Sequence, residues 1–75
     1  MTAHANYLRD LGDHLRRDAE TVVAEARADP GDDFLRGQAH AMYSVLSLMQ
    51  QQADAFGIPL TELALDGLEP DRDLI

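Results

Sequence analysis

The amino-acid sequence predicts an all-α fold: an antiparallel two-helix hairpin with a short C-terminal helix, pairing as a homodimeric four-helix bundle. Apolar residues recur at intervals of three and four on both sides of a Pro30-Gly31 turn signal. The segment 34–56 contains only one basic and one acidic residue, although 27% of the chain is charged. A chain of 75 residues without cysteine has a small core and no disulfide, so self-association is the expected stabiliser.

The first helix is predicted over about residues 3–28. Thr2 can cap its start, and Pro30 disfavours helical geometry at Asp29 and so ends it. Small residues recur every seven positions along it, which would let a second helix approach closely. These residues are Ala5, Gly12, Ala19 and Ala26.

The second helix is predicted over about residues 33–56, with Asp32 as its cap and Gly57 at its end. The connection is short, so the two helices should fold back on each other. One apolar seam of each helix then forms the hairpin core. The predicted core residues are Leu8, Leu11, Leu15, Ala19, Val22, Leu35, Met42, Leu46, Met49 and Phe56.

The apolar arc of the second helix spans about 200° at 100° per residue, which is more than one neighbouring helix covers. We therefore predict that a second seam meets a second copy of the chain. Its residues are Phe34, Gln38, Ala41, Val45, Leu48, Gln52 and Ala55. The two glutamines either meet their own copies near a two-fold axis, where a polar residue can set the register, or reach past the seam to water.

After Gly57 the sequence predicts a short third helix over about residues 59–66, because Pro59 suits a first helical turn. Residues 1–66 are expected to form one helical domain. Residues 67–75 read as an acidic C-terminal tail, loosely held unless Leu74-Ile75 docks.

Few side chains of this sequence could take part in catalysis or bind a metal. We predict no catalytic, cofactor-binding or metal site within one chain. His40 and Ser44 lie one helical turn apart, but nucleophilic catalysis also needs oriented oxyanion donors. His14 lies one helical turn from Asp10 and from Asp18 on the same side of the helix. Such a row is most typical of solvent-exposed charged side chains. Metal binding would require copies of His4, His14 or His40 to meet across a dimer axis.

The run MQQQADAFGIPLTELAL at 49–65 resembles the last two helices of phage-repressor-like helix-turn-helix domains, in which a long helix ends in a Gly-aliphatic pair. The resemblance covers seventeen residues, and no recognition-helix portion precedes it. The acidic, arginine-poor chain also departs from a DNA-binding surface. We interpret the run as a common pattern of helix endings.

The net charge of −8 argues against nucleic-acid binding, which draws on clustered Lys and Arg. With no signal peptide or membrane-spanning stretch recognised, we expect a cytoplasmic protein that does not interact with membranes. We expect a non-enzymatic homodimeric module that binds another protein, of unknown identity, through its bundle surface or acidic tail. The alternative is an acidic antitoxin-like or DNA-mimicking inhibitor whose second seam is completed by a basic partner.

Overall fold

The computed structural model describes residues 2–75 and is helical, with two long helices and a short C-terminal one. Helix α1 spans Ala3–Ala28, α2 spans Asp33–Ala55, a 3₁₀ turn spans Leu60–Leu63, and α3 spans Pro70–Asp73. The predicted all-helical hairpin with a short C-terminal helix is thereby confirmed at the level of the single chain.

Both long helices begin at the residues that the sequence suggests as caps. The Thr2 hydroxyl accepts a hydrogen bond from the Ala5 N–H at 3.1 Å, and Asp32 Oδ1 accepts one from the Leu35 N–H at 3.1 Å. Each bond satisfies an N–H group that has no partner within its helix. The turn between the helices closes when the Asp32 N–H donates to the Asp29 carbonyl at 3.1 Å.

Helix α2 ends in a glycine motif that redirects the chain. Gly57 has a φ of 69°, a left-handed conformation that glycine adopts without steric cost. The Ile58 N–H donates to the Ala53 carbonyl at 2.8 Å, and the Gly57 N–H donates to the Asp54 carbonyl at 3.1 Å. These are the two bonds of a Schellman motif, and they send the following residues back toward the hairpin.

Residues 58–75, hereafter the C-terminal segment, run along one face of the hairpin, parallel to α1 and antiparallel to α2. The segment first meets α1 where Gly12 contacts Leu63. It then passes α2, where Gln50 Nε2 donates to the carbonyls of Leu65 and Leu68 at 3.3 and 2.8 Å. It ends beside Arg27, whose Nε and Nη2 donate to the Ile75 carbonyl at 3.2 and 2.5 Å.

The hydrophobic core lies between the hairpin and this segment. Half of its buried residues come from the C-terminal segment, so the segment is a structural layer of the fold. The buried core consists of Ala19, Val23, Leu46, Ala53, Leu63, Leu65, Leu68 and Leu74.

One feature of this region differs from the sequence prediction. The helix expected over 59–66 is only the 3₁₀ turn Leu60–Leu63, because Ala64 adopts a left-handed conformation with φ 55° that ends it. Arg16 Nη1 holds this bend by donating to the Ala64 and Asp66 carbonyls at 3.1 and 2.8 Å.

For residues 67–75 the sequence left open whether the Leu74-Ile75 pair docks, and in the structure this segment is packed against the hairpin through Leu74. Leu68 and Leu74 are 5% and 2% exposed, and α3 lies between them. A fully buried leucine contributes about 1.5–3 kcal/mol, so the burial of these two leucines offsets part of the entropy that the segment loses when it docks.

Within residues 2–75, neither long helix combines the length and the apolar character that a membrane crossing requires.

Candidate functional site

The candidate site is an apolar stripe along α2 that the rest of the chain leaves uncovered. Phe34, Val45 and Leu48 are 74%, 42% and 55% exposed. The residues that lie between them on the same side of α2 are also exposed to solvent. The stripe, hereafter the α2 stripe, consists of Phe34, Gln38, Ala41, Val45, Leu48, Gln52 and Ala55. These are the seven residues for which the sequence predicts an interface with a second chain.

The stripe is exposed because the C-terminal segment packs on the other side of α2. Tyr43 and Gln50 contact that segment, and at 100° per residue they lie roughly 150° around the helix from Val45 and Leu48. The charged side chains within α2 after its first residue, Arg36 and Asp54, are also on the far side, about 160° from the centre of the stripe. The stripe therefore carries no formal charge along its length.

Helix α1 extends this apolar surface. Tyr7 and Leu11 are 69% and 37% exposed. Each lies about 140° around α1 from a residue that holds the C-terminal segment, Gly12 or Arg16. Tyr7 and Leu11 thus lie on the same broad face of the hairpin as the α2 stripe.

The residues predicted for the hairpin core fall into three groups. Ala19 and Leu46 are fully buried. Six are half-buried: Leu8, Leu15, Val22, Leu35, Met42 and Met49. The remaining two, Leu11 and Phe56, are exposed in the single chain.

Phe56 is the clearest departure from the predicted core, since it is 75% exposed. It was assigned to the last turn of α2, but α2 ends at Ala55 and Phe56 is its C-cap, with φ −94° and ψ 2°. Its N–H still donates to the Gln52 carbonyl at 3.0 Å, and the chain leaves the helical path only at Gly57. Within residues 2–75, no other element covers the Phe56 ring, which faces solvent and adds to the exposed apolar surface.

The residues that cover the opposite face are not predicted by the helical periodicity. The sequence predicts Leu65 at a helix end and Leu68 in a tail, yet both are buried. Gln50 was not assigned any role, although its amide satisfies two carbonyls of the C-terminal segment. The spacing of Leu60, Leu63, Leu65, Leu68 and Leu74 is a signal that could have identified an apolar segment in need of a surface.

The ionisable groups with shifted pKa values lie on the face opposite the stripe, in the C-terminal segment and its contacts. The Tyr43 hydroxyl donates to the Asp71 carboxylate, and this bond raises the pKa of Tyr43 above its ordinary value of 10.0. Asp73 accepts from Arg72 Nε at 2.7 Å and from the Glu69 N–H at 2.9 Å. The hydrogen bond from Arg72, followed by that from the Glu69 backbone, lowers the pKa of Asp73 to about 2.

The three histidines do not converge within the chain. His14 Nε2 lies 3.7 Å from Asp10 Oδ2 on the exposed side of α1, and the His40 ring stacks on Tyr43 with centroids 6.2 Å apart. Over residues 2–75, no three histidine or carboxylate side chains are grouped as metal ligands. Whether copies of His4, His14 or His40 meet across a dimer axis stays a hypothesis about the pair of chains.

Comparisons with models of known protein families, with curated proteins and with solved structures find no match to this chain.

Proposed function

We propose that this protein is a homodimeric helical module that pairs through the α2 stripe into a four-helix bundle and binds another protein through the outer surface of that bundle. The observation that supports the proposal is the uncharged, solvent-exposed stripe that runs the length of α2. Large contiguous apolar surface on a small protein is typical of an interaction site.

The dimensions of the face suit a stable interface. The chain measures 43 × 21 × 17 Å, and two helices side by side account for the 21 Å width. A stable interface buries about 800 Å² on each partner. A face of 43 by 21 Å offers that area if the two hairpins pack broadside.

A second copy of the chain is the partner that fits the chemistry of the stripe. Two chains of net charge −8 repel each other, but contact centred on the α2 stripe keeps the carboxylates of α2 out of the interface. On the α1 side of the same face, Asp18 and Glu25 are in line with Tyr7 and Leu11, so the contact there has to leave these carboxylates in solvent. Pairing in the same manner as other four-helix bundles would also bury Phe34, Val45 and Leu48 against equivalent apolar side chains.

The two glutamines of the stripe support a specific pairing. Gln38 and Gln52 are exposed in the single chain, where water satisfies their amides. In a dimer a glutamine near the two-fold axis can exchange hydrogen bonds with its own copy. A shift of register would leave these amides unpaired, at a cost of about 1–3 kcal/mol for each buried group.

The net charge of −8 supports a second candidate function, an acidic inhibitor of the antitoxin-like or DNA-mimicking kind. Here a basic protein would take the place of the second copy, drawn to this chain by long-range electrostatic attraction. The stripe offers such a partner apolar contacts but no carboxylates. The basic side chains of the partner would therefore meet carboxylates only at the edge of the interface. We therefore rank this function second.

The proposal is tested by the masses of two variants in sedimentation equilibrium. Leu48→Glu places a carboxylate in the stripe of both copies, and we expect it to be a monomer. Gln51→Glu adds the same charge to the neighbouring, non-stripe side of α2, and we expect it to remain dimeric.

The single chain buries its own core, so the Leu48→Glu monomer should keep its helical circular dichroism. Equal masses for the two variants would contradict the assignment of the stripe as the interface.

A further inference from the structure

A second concave surface lies on the other face of the hairpin, beside Leu74 and Ile75 and close to the helix connection. Residues of α1, α2 and the C-terminal segment enclose an open cleft of about 440 Å³ here. This volume falls within the roughly 300–1,000 Å³ range of small-molecule sites. The cleft is separate from the α2 stripe, so both can be occupied at once.

The floor of the cleft is aliphatic. The residues that form it come from both long helices, the connection between them and the end of the C-terminal segment. They are Val23, Ala26, Pro30, Ala39, Leu74 and Ile75. Small side chains at Ala26 and Ala39 leave the space open. A flexible alkyl chain fits such a floor because its contacts require no fixed polar geometry.

The polar groups around the cleft are mainly hydrogen-bond donors, and two are cationic. Arg27 and Arg36 line it from α1 and α2, with His40 and Tyr43 beside them. The cleft thus holds two of the six basic side chains of a strongly acidic protein. Both cations already have oxygen partners within the chain: Arg27 donates to the carbonyls of Asp73 and Ile75, and Arg36 lies beside the Asp33 carboxylate.

The cations of the cleft differ in how firmly they are engaged. Arg27 donates to the Ile75 carbonyl and so fixes one wall. Arg36 is 64% exposed, and its Nη1 lies 3.5 Å from the Asp33 carboxylate, itself 93% exposed. An exposed pair of this kind is weak. Arg36 can therefore turn to another carboxylate at little cost.

We propose that this cleft binds a small amphipathic carboxylate, with its alkyl chain on the aliphatic floor and its carboxylate at Arg36 and His40. A planar guanidinium suits a carboxylate because it can donate two parallel hydrogen bonds. Neutral alkyl compounds lack the group that Arg36 recognises and bind more weakly.

The proposal is tested by titrating the full ¹⁵N-labelled chain with decanoate and following its amide signals by NMR. We expect saturable shifts centred on Ala26, Ala39 and Leu74. The Kd should be about a millimolar or tighter, given ordinary ligand efficiency for about twelve non-hydrogen atoms. Decan-1-ol serves as the neutral probe and should bind at least about threefold more weakly, since it cannot form the exposed ion pair.

Two matched variants isolate the role of charge. Arg36→Gln should raise the Kd of decanoate about threefold, as expected for loss of an exposed ion pair. Arg17→Gln removes the same charge from an arginine that pairs with Asp13 outside the cleft, and it should leave the Kd unchanged. Ala39→Phe places a large side chain in the floor of the cleft and should abolish decanoate binding. If Ala39→Phe disturbs folding, Arg36→Gln still tests the proposal.

Three results would overturn the proposal: shifts that never saturate, equal Kd values for the two arginine variants, or equal binding of decanoate and decan-1-ol with shifts concentrated along Phe34, Val45 and Leu48. The last result would indicate general adsorption of alkyl chains to the exposed stripe. The masses of the stripe variants are measured without ligand, so they test the dimer independently.

Discussion

Gly12 is the residue whose replacement tests the docking of the C-terminal segment most sharply. It is buried within α1, directly beneath the 3₁₀ turn. A Cβ atom at this position would lie 1.8 Å from the Leu63 carbonyl oxygen and 2.8 Å from the carbonyl carbon. Helix propensity alone predicts that Gly12→Ala stabilises the protein by about 0.5–1 kcal/mol, whereas the structure predicts the opposite sign.

The size of the effect follows from the least costly way to relieve this clash. Ordinary contact begins at 3.4 Å, so the 3₁₀ turn must retreat from α1 by about 1.6 Å. Full detachment would expose four buried leucines of the C-terminal segment, at about 1.5–3 kcal/mol each. A local shift costs less, typically about 1–3 kcal/mol for an overpacked site. After the gain in helix propensity, we expect a net destabilisation of about 1–2 kcal/mol.

Gly37 provides a matched control. It too lies inside a long helix, but a Cβ atom there would meet nothing within 4 Å. Gly37→Ala should therefore show the propensity gain alone and stabilise the protein by about 0.5–1 kcal/mol. The two variants should differ in unfolding free energy by about 2 kcal/mol, with opposite signs relative to the parent.

The assay is urea unfolding followed by circular dichroism, with all proteins at one concentration because dimerisation contributes to apparent stability. Hydrogen exchange at the Leu65 and Leu68 amides then reports whether the lost stability comes from the C-terminal segment. If Gly12→Ala is as stable as Gly37→Ala, the close packing of Leu63 on α1 is wrong.

Two further predictions concern the end of the C-terminal segment. Leu74→Ala removes a side chain that is 2% exposed and should lower the free energy of unfolding in urea by about 2–3 kcal/mol. Ile75→Ala removes one that is 71% exposed and should lower it by less than about 0.5 kcal/mol. Equal effects of the two changes would contradict the docked arrangement. An NMR titration of the Asp73 carboxyl should give a pKa of about 2, and Arg72→Gln should raise that pKa. Because the folded-state pKa is lowered, the stabilising contribution of Asp73 is complete above its ordinary pKa of 3.8 and is lost as the pH falls to about 2; a pKa of 3.8 in the folded protein would refute the contact with Arg72 and Glu69.

Much of the hairpin was predictable because its signals are local. Helical periodicity, the capping residues Thr2 and Asp32, and the Pro30-Gly31 turn each act within a few residues of where they occur. The α2 stripe was also predictable as a set of residues, since it depends only on the apolar arc of one helix. Its exposure in the single chain is what that prediction requires, while its pairing stays a prediction.

The C-terminal segment was not predictable by the same reasoning, because its conformation depends on distant partners. Ala64 adopts a left-handed conformation that no local residue demands, and it is held by Arg16, which is 48 positions earlier in the chain. The row of small residues on α1 was expected to pack against α2, but Gly12 packs against the backbone of Leu63. A ridge of small residues indicates close approach without indicating which element approaches.

The mass of the unaltered chain in solution tests the central claim most directly. It should be measured by sedimentation equilibrium over a dilution series of roughly 1–100 µM, a range in which a dimer of micromolar affinity would dissociate visibly. We predict a mass of twice 8.3 kDa at the upper concentrations, with a reversible fall on dilution only if the pairing is of micromolar strength. A mass of 8.3 kDa throughout, with native helical content, would contradict pairing through the α2 stripe and leave a different protein as its partner.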